Sequence, residues 1–138
     1  RDGYDFDSRE DEELTSMRQK RIMVCFSEQK EWFSFALKCQ AGFGKGGEKN
    51  FEGTVTALQM GGYLLIRDFR QRINKKDFPY GWPISVYTTP EALWDYHHIA
   101  SAYSADPAES KALIYEHIRK NFPDAFLEEL NAVLGWSR

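Results

Sequence analysis

The sequence predicts an α+β fold in which a small helical core carries a two- or three-stranded antiparallel wing and continues into a helical C-terminal extension. Apolar residues recur at helical spacing in several segments. Two stretches rich in β-forming residues, 63–73 and 83–88, flank a connection at 74–82 that contains turn-forming Pro79 and Gly81. These strands are therefore expected to pair as a hairpin.

The domain organisation follows from chain length. With 138 residues, of which 42% are hydrophobic, the chain can bury one core of useful size but not two. We expect a single globular domain over residues 14–138. Within it, residues 28–88 form the helical core with its wing, and residues 89–138 form the extension.

Charged residues divide the chain into three regions. Residues 1–13 contain two basic and seven acidic side chains, net −5, without apolar periodicity, which predicts an acidic mobile arm. Residues 14–82 contain 12 basic and 6 acidic side chains, net +6, and residues 83–138 contain 4 basic and 8 acidic, net −4. A basic middle region is compatible with nucleic-acid binding, although the whole chain has a net charge of −3.

The first half of the basic region predicts helices. Residues 14–21 are basic and compatible with a helix, and the apolar run at 22–26 fits either a strand or the entry to a helix. Ser27 is a suitable N-cap for a helix that continues to about Gln40. The glycine-rich segment 41–47 then ends that helix.

Residues 51–60 fit two structures. As a helix, the segment would place Val55 and Leu58 on one face and would end at the glycine pair 61–62. As a strand, it would form a hairpin with residues 63–69 around that pair. We favour the helix because apolar and polar residues alternate poorly here.

The extension is predicted to contain three helices. Thr89 caps the first, with a proline at its first position, and this helix continues toward Tyr103. Asp106, also followed by a proline, starts the second. Residues 126–134 form the third, which Gly135 caps.

One segment resembles a known family. The run TVTALQMGGYL at 54–64 is followed by three arginines and by the basic turn NKK at 74–76. Over about residues 28–88 this pattern resembles the winged helix-turn-helix family. Its recognition helix often carries Thr/Ser-Val-x-x-x-Leu and ends in a glycine before an apolar pair that opens the first wing strand. The resemblance implies a DNA-binding module, regulatory or of mobile-element or phage origin.

The resemblance also implies which residues contact double-stranded DNA. The helix at 51–60 would enter the major groove, and a basic wing at 67–76 would contact phosphates or the minor groove. The residues so implied are Lys45, Lys49, Glu52, Thr54, Thr56, Gln59, Arg67, Arg70, Arg72, Lys75 and Lys76.

Two other functions fit the residues. The extension is rich in aromatic side chains, which are common at protein interfaces. It would then bind a protein partner or a second copy of the chain, with the interface residues Trp94, Tyr103, Tyr115 and Trp136. Alternatively, Glu52 and Asp68 could hold Mg²⁺, with Lys75 nearby, in a nuclease subunit.

Other sites are not indicated. Residues 42–47 match G-x-G-x-x-G, but a dinucleotide site needs a strand before this motif, and a helix is predicted there. Cys25, Cys39 and the three histidines lack metal-ligand spacing. We therefore expect no catalytic residues, no metal and no cofactor. No apolar stretch is long enough to span a membrane, and the two cysteines favour a cytoplasmic location.

Overall fold

A computed structural model describes residues 5–135 of the chain. The chain forms two compact units, Arg1–Tyr103 and Ser104–Arg138. The helices of the described residues are α1 Phe6–Asp11, α2 Met17–Met23, α3 Ser34–Gln40, α4 Phe51–Met60, α5 Pro90–Trp94, α6 Tyr96–Ser101, α7 Pro107–Asn121 and α8 Leu127–Val133. The strands are β1 Glu31–Phe33, β2 Leu65–Ile73 and β3 Pro79–Thr88.

The three strands form one antiparallel sheet in the order β1-β3-β2. Trp32 of β1 lies opposite Tyr87 of β3, and Phe69 of β2 lies opposite Ser85 of β3. Along the chain, α2 is followed by β1, α3, α4 and then the β2–β3 hairpin. In the sheet, β1 lies beside β3. The predicted α+β class is confirmed, and the antiparallel sheet has three strands.

The core of the first unit lies between this sheet and the helices. Its fully buried side chains include Ile22 from α2, Leu37 from α3 and Leu58 from α4, together with Leu64 just before β2. The prediction that residues 51–60 form a helix is confirmed, and the hairpin alternative is wrong. The helix forms because one side of it fills this core.

The start of α3 corrects a prediction. Ser27 does not cap a helix; it ends a 3-10 helix at Val24–Ser27. The chain then enters β1, and α3 begins at Ser34 and ends at Gln40, where the sequence predicted its end. The pairing of β1 with β3 decides this path. In addition, the Trp32 indole N–H donates a 3.0 Å hydrogen bond to the Cys25 carbonyl.

The hairpin is longer than predicted, because β3 begins at Pro79 rather than at residue 83. Ile73 lies opposite Pro79, so only residues 74–78 connect the two strands. The Asn74 side chain stabilises this turn by accepting hydrogen bonds from the backbone amides of Lys76 and Phe78. Proline is tolerated as the first residue of a strand.

The first helix of the extension is shorter than predicted. Thr89 caps α5 as expected, because its hydroxyl accepts a hydrogen bond from the Ala92 amide. Asp95 then adopts a positive φ of 75° and interrupts the helix. Its carboxylate accepts a hydrogen bond from the His97 amide, so the same residue starts α6.

The second unit contains α7 and α8. Asp106 caps α7 as predicted, accepting a hydrogen bond from the Ala108 amide. The Tyr115 hydroxyl donates to the side-chain oxygen of Asn131 and so joins the two helices. Leu130 of α8 is buried. The last helix ends close to its predicted limit, with Gly135 at a φ of 71°.

The acidic segment at the start of the chain contains α1, which Asp5 caps. Phe6 packs against the core and meets the Tyr63 ring edge-on, with 5.6 Å between ring centroids. The mobility of residues 1–13 and the predicted domain limits stay predictions. None of the helices in residues 5–135 is long and apolar enough to cross a membrane.

Candidate nucleic-acid interface

Helix α4 presents a small and nearly uncharged outer face. Glu52, Thr56 and Met60 are exposed there, and the ten-residue helix contains no lysine or arginine. Glu52 accepts a 2.8 Å hydrogen bond from Lys38 of α3, which lowers the pKa of Glu52. Gln59 is half-buried. Of the polar residues proposed to read bases, Glu52 and Thr56 are therefore the accessible ones.

Thr54 lies on the opposite side of α4. Only 6% of its surface is exposed, and its hydroxyl donates a 2.8 Å hydrogen bond to the Asn50 carbonyl. Its position between Phe51 and Val55, both buried, places it in the core. Thr54 is therefore not accessible for a contact with a base.

The glycine-rich loop before α4 presents two lysines. Lys45 and Lys49 are exposed, and neither side-chain ammonium has a carboxylate partner within residues 5–135. The loop folds back on itself through a 2.8 Å hydrogen bond from the Glu48 amide to the Gly42 carbonyl. Lys49 lines a shallow groove of about 370 Å³ at the start of α4. The loop thus places cationic side chains beside the N-terminus of the helix.

Two of the predicted wing arginines are engaged in ion pairs. Arg67 and Arg70 of β2 both bind the carboxylate of Glu31 on β1, the latter at 2.8 Å. Arg70 also binds Asp68 at 2.9 Å. The pKa of Asp68 is lowered, first by the hydrogen bond from Arg70 and then by that from the Phe69 amide. Local carboxylates therefore offset the charge of this part of the wing.

The far end of the wing keeps its positive charge. Lys75 and Lys76 lie in the exposed turn between β2 and β3, with no carboxylate partner among the described residues. The Arg72 guanidinium lies over the Phe35 ring, 4.4 Å from its centroid, which is a cation–π contact. The unneutralised cations proposed from the sequence are thus Lys45, Lys49, Arg72, Lys75 and Lys76.

Sequence reasoning did not identify Glu31 as the partner of the arginines. Glu31 lies 39 residues before Arg70 along the chain, and no local pattern relates the two. Lys38 and Glu52 meet in the same way across 14 residues. Only the placement of β1 beside β3, and of α3 beside α4, reveals which charges are neutralised.

The residues considered for a nuclease are not assembled into a metal site. Glu52 is paired with Lys38, and Asp68 is paired with Arg70. The part of the chain that the structure describes contains no group of three or more His, Cys, Asp or Glu residues placed to hold a metal ion.

The aromatic residues proposed for a partner interface are distributed over both units. Trp94 and Tyr103 are exposed residues of the first unit. Tyr115 belongs to the second unit and is half-buried, with its hydroxyl bonded to Asn131. Trp136 lies outside the described residues.

The two cysteines differ in environment. Cys25 is buried, and its thiol donates a hydrogen bond to the Arg21 carbonyl at 3.3 Å. Burial raises the pKa of the Cys25 thiol, and the nearby charge of Glu28 raises it further. Cys39 is exposed.

We expect a thiol reagent at pH 8 to modify Cys39 rapidly and Cys25 only after unfolding, because the reactive species is an accessible thiolate. Reaction with a chromogenic disulfide reagent should release one equivalent quickly and the second on addition of denaturant. Cys39→Ser should remove the fast phase alone. Two equal fast phases would contradict the burial of Cys25.

Comparison with known proteins identifies a family. The family described as AlkZ related matches residues 1–135. The chain belongs to the AlkZ-related family. This AlkZ-related chain is also similar to the crystal structure of a MarR-family transcriptional regulator from Silicibacter pomeroyi. The two share 15% sequence identity and a TM-score of 0.37, over 87% of the AlkZ-related chain and 79% of the regulator. No curated protein sequence matches the AlkZ-related chain.

Proposed function

We propose that the chain is a DNA-binding module that contacts the phosphate backbone with the loop before α4 and with the tip of the β2–β3 wing. The observation that carries this proposal is the distribution of unneutralised lysines. Lys45 and Lys49 lie in the loop just before α4, and Lys75 and Lys76 occupy the wing turn. Lysine contacts to phosphates supply most of the sequence-independent affinity for DNA.

The outer face of α4 suits a limited role in base recognition. Thr56 and Glu52 are accessible there, but the Thr56 hydroxyl already donates to the Glu52 carbonyl at 2.9 Å. No arginine or lysine on this helix is available for the common bidentate contact with guanine. The proposal therefore assigns affinity to the loop and the wing, and leaves sequence preference weak.

The proposal is tested by titrating a fluorescent random-sequence duplex with the full chain at several salt concentrations. We expect micromolar binding at low salt that weakens steeply as salt rises, with a slope of about −0.9 in log–log form for each phosphate contact. The first 13 residues should be retained, because deleting them removes Phe6 from the core. Failure to bind any duplex at low salt would reject the proposal.

A second candidate function rests on the exposed apolar side chains of the second unit. Phe122, Phe126 and Val133 are largely exposed, although they follow or belong to amphipathic helices. Exposed apolar groups concentrated in one small unit indicate a protein interface. On this alternative the chain is a non-enzymatic interaction module, and its second unit is the binding surface.

One measurement separates the two candidates. Changing Phe126 and Val133 together to serine should leave duplex binding unchanged if the lysines carry it. Should the substitution abolish duplex binding while the fold is retained by circular dichroism, the assignment of the interface to the loop and wing is wrong.

A further inference from the structure

Strand β2 is a nine-residue strand at the edge of the sheet. Within residues 5–135, no strand pairs with its outer side. Its apolar side chains are unusually accessible for a strand, since Phe69 is 62% exposed and Ile73 is 59% exposed. A long edge strand with exposed apolar residues is a template for pairing with another strand.

The sequence of β2, LIRDFRQRI, is complementary to itself in one antiparallel arrangement. In a two-fold antiparallel pair, one residue must lie opposite its own copy. When that residue is Phe69, Asp68 lies opposite Arg70 of the second copy and Leu65 lies opposite Ile73. Cross-strand pairs of opposite charge and of aromatic or branched residues stabilise a sheet.

Neighbouring registers are excluded by charge. Centring the pair on Arg67, Asp68 or Arg70 places that charged residue opposite itself, and centring it on Gln71 places Arg70 opposite Arg72. Like charges directly opposite each other destabilise a sheet. Among the five central residues of β2, 67–71, only Phe69 gives a pair without opposed like charges.

The two register shifts in the pairing of β2 with β3 lie at equal distances on either side of Phe69. Its pairing with β3 shifts register between Ile66 and Asp68 and again between Arg70 and Arg72, so residues 68–70 form the regular stretch. A two-fold axis at Phe69 places Arg67, which lies at the first register shift, opposite Gln71 of the second copy, which lies at the second register shift. The regular stretches of the two copies then face each other.

We propose that the outer edge of β2 pairs with β2 of a second copy of the chain, in an antiparallel arrangement centred on Phe69. The pairing joins the two sheets into one. It extends the network of Glu31, Arg70 and Asp68 by adding contacts from Arg70 to Asp68 of the other copy. The lysines proposed to contact DNA lie outside β2, so the dimer and the DNA-binding proposal are tested separately.

Cysteine crosslinking tests the register. In the full chain with Cys39→Ser, the substitution Phe69→Cys places two thiols on residues with Cα atoms about 4.5–5.5 Å apart, a span that a disulfide can bridge. We expect mild oxidation to give a covalent dimer. The control Gln71→Cys, in the same background, separates the thiols by four residues along the strand, about 14 Å, and should remain monomeric. Equal crosslinking of both variants, or of neither, would overturn the proposal.

Charge exchange gives a second test, read by sedimentation velocity. Asp68→Arg replaces each opposite-charge pair across the two-fold axis with two facing arginines, and Arg70→Asp replaces each pair with two facing aspartates. Each variant alone should therefore dissociate at least about tenfold more readily than the natural chain. An equimolar mixture of the two variants restores both opposite-charge pairs and should form a heterodimer.

The outcomes of this second test are distinct. A natural chain that is monomeric at about 100 μM, or single variants that still dimerise fully, would refute the pairing. The matched control Glu128→Arg reverses a charge on α8 and should leave the dimer intact. Loss of the dimer in that control would place the contact in the second unit and overturn the assignment to β2.

Discussion

Replacing Lys45, Lys49, Lys75 and Lys76 with alanine is expected to lower the affinity for a random-sequence duplex by roughly 10³-fold at 0.1 M salt. Each phosphate contact contributes about 0.9 to the slope of log affinity against log salt concentration, so four lost contacts reduce the slope by about 3.6. The four side chains are exposed and have no carboxylate partner within residues 5–135. Their removal should therefore leave the fold unchanged.

The two lysine pairs can be separated. Lys45→Ala with Lys49→Ala, and Lys75→Ala with Lys76→Ala, should each reduce the slope by about 1.8. The matched control removes four cations elsewhere, at Lys30, Lys111, Arg119 and Lys120, and should change the slope little. If the control weakens binding as much as the test variant, only net charge matters and the proposed interface is wrong.

The second large effect concerns stability. We expect Leu58→Ala to lower the free energy of unfolding by about 2–5 kcal/mol, because Leu58 is 1% exposed and truncation leaves a cavity in the core. Met60 lies two residues further along the same helix and is 80% exposed. Met60→Ala should therefore change the free energy of unfolding by less than about 0.5 kcal/mol.

Urea unfolding followed by circular dichroism measures both values. The comparison within one helix separates burial from helix propensity, since both substitutions introduce alanine. Similar small effects of the two substitutions would contradict the placement of Leu58 in the core. A large effect of Met60→Ala would instead indicate that the outer face of α4 is covered by a partner.

Ion pairing changes the expected contribution of the wing to binding. Sequence alone proposed Arg67 and Arg70 as phosphate contacts on the same footing as the wing lysines. In the structure both bind Glu31, and Arg70 also binds Asp68. Phosphate would have to displace these carboxylates, so the wing tip is the stronger candidate. Such exposed pairs contribute little to stability, and their main effect is on the local charge.

Local signals in the sequence determined the helix starts at Thr89 and Asp106, whereas the connection predicted at 74–82 is shortened to 74–78 because β3 begins at Pro79. Each helix start depends on side chains adjacent in the chain, namely a capping oxygen followed by proline. The helix at 51–60 was also predictable, since the spacing of Val55 and Leu58 fits one buried face. These features need no knowledge of the rest of the molecule.

The tertiary structure alone decided β1, the burial of Thr54 and the pairing of the arginines with Glu31. Three residues, Glu31–Phe33, become a strand only because β3 offers them backbone hydrogen bonds. Glu31 then reaches Arg67 and Arg70 from the other side of β3. Contacts between residues far apart in the chain leave no recognisable pattern in the local sequence. The sequence therefore determined the helix starts at Thr89 and Asp106 and the helix at 51–60, whereas the neighbours of each charge, and with them the accessible cations, depended on the assembled sheet.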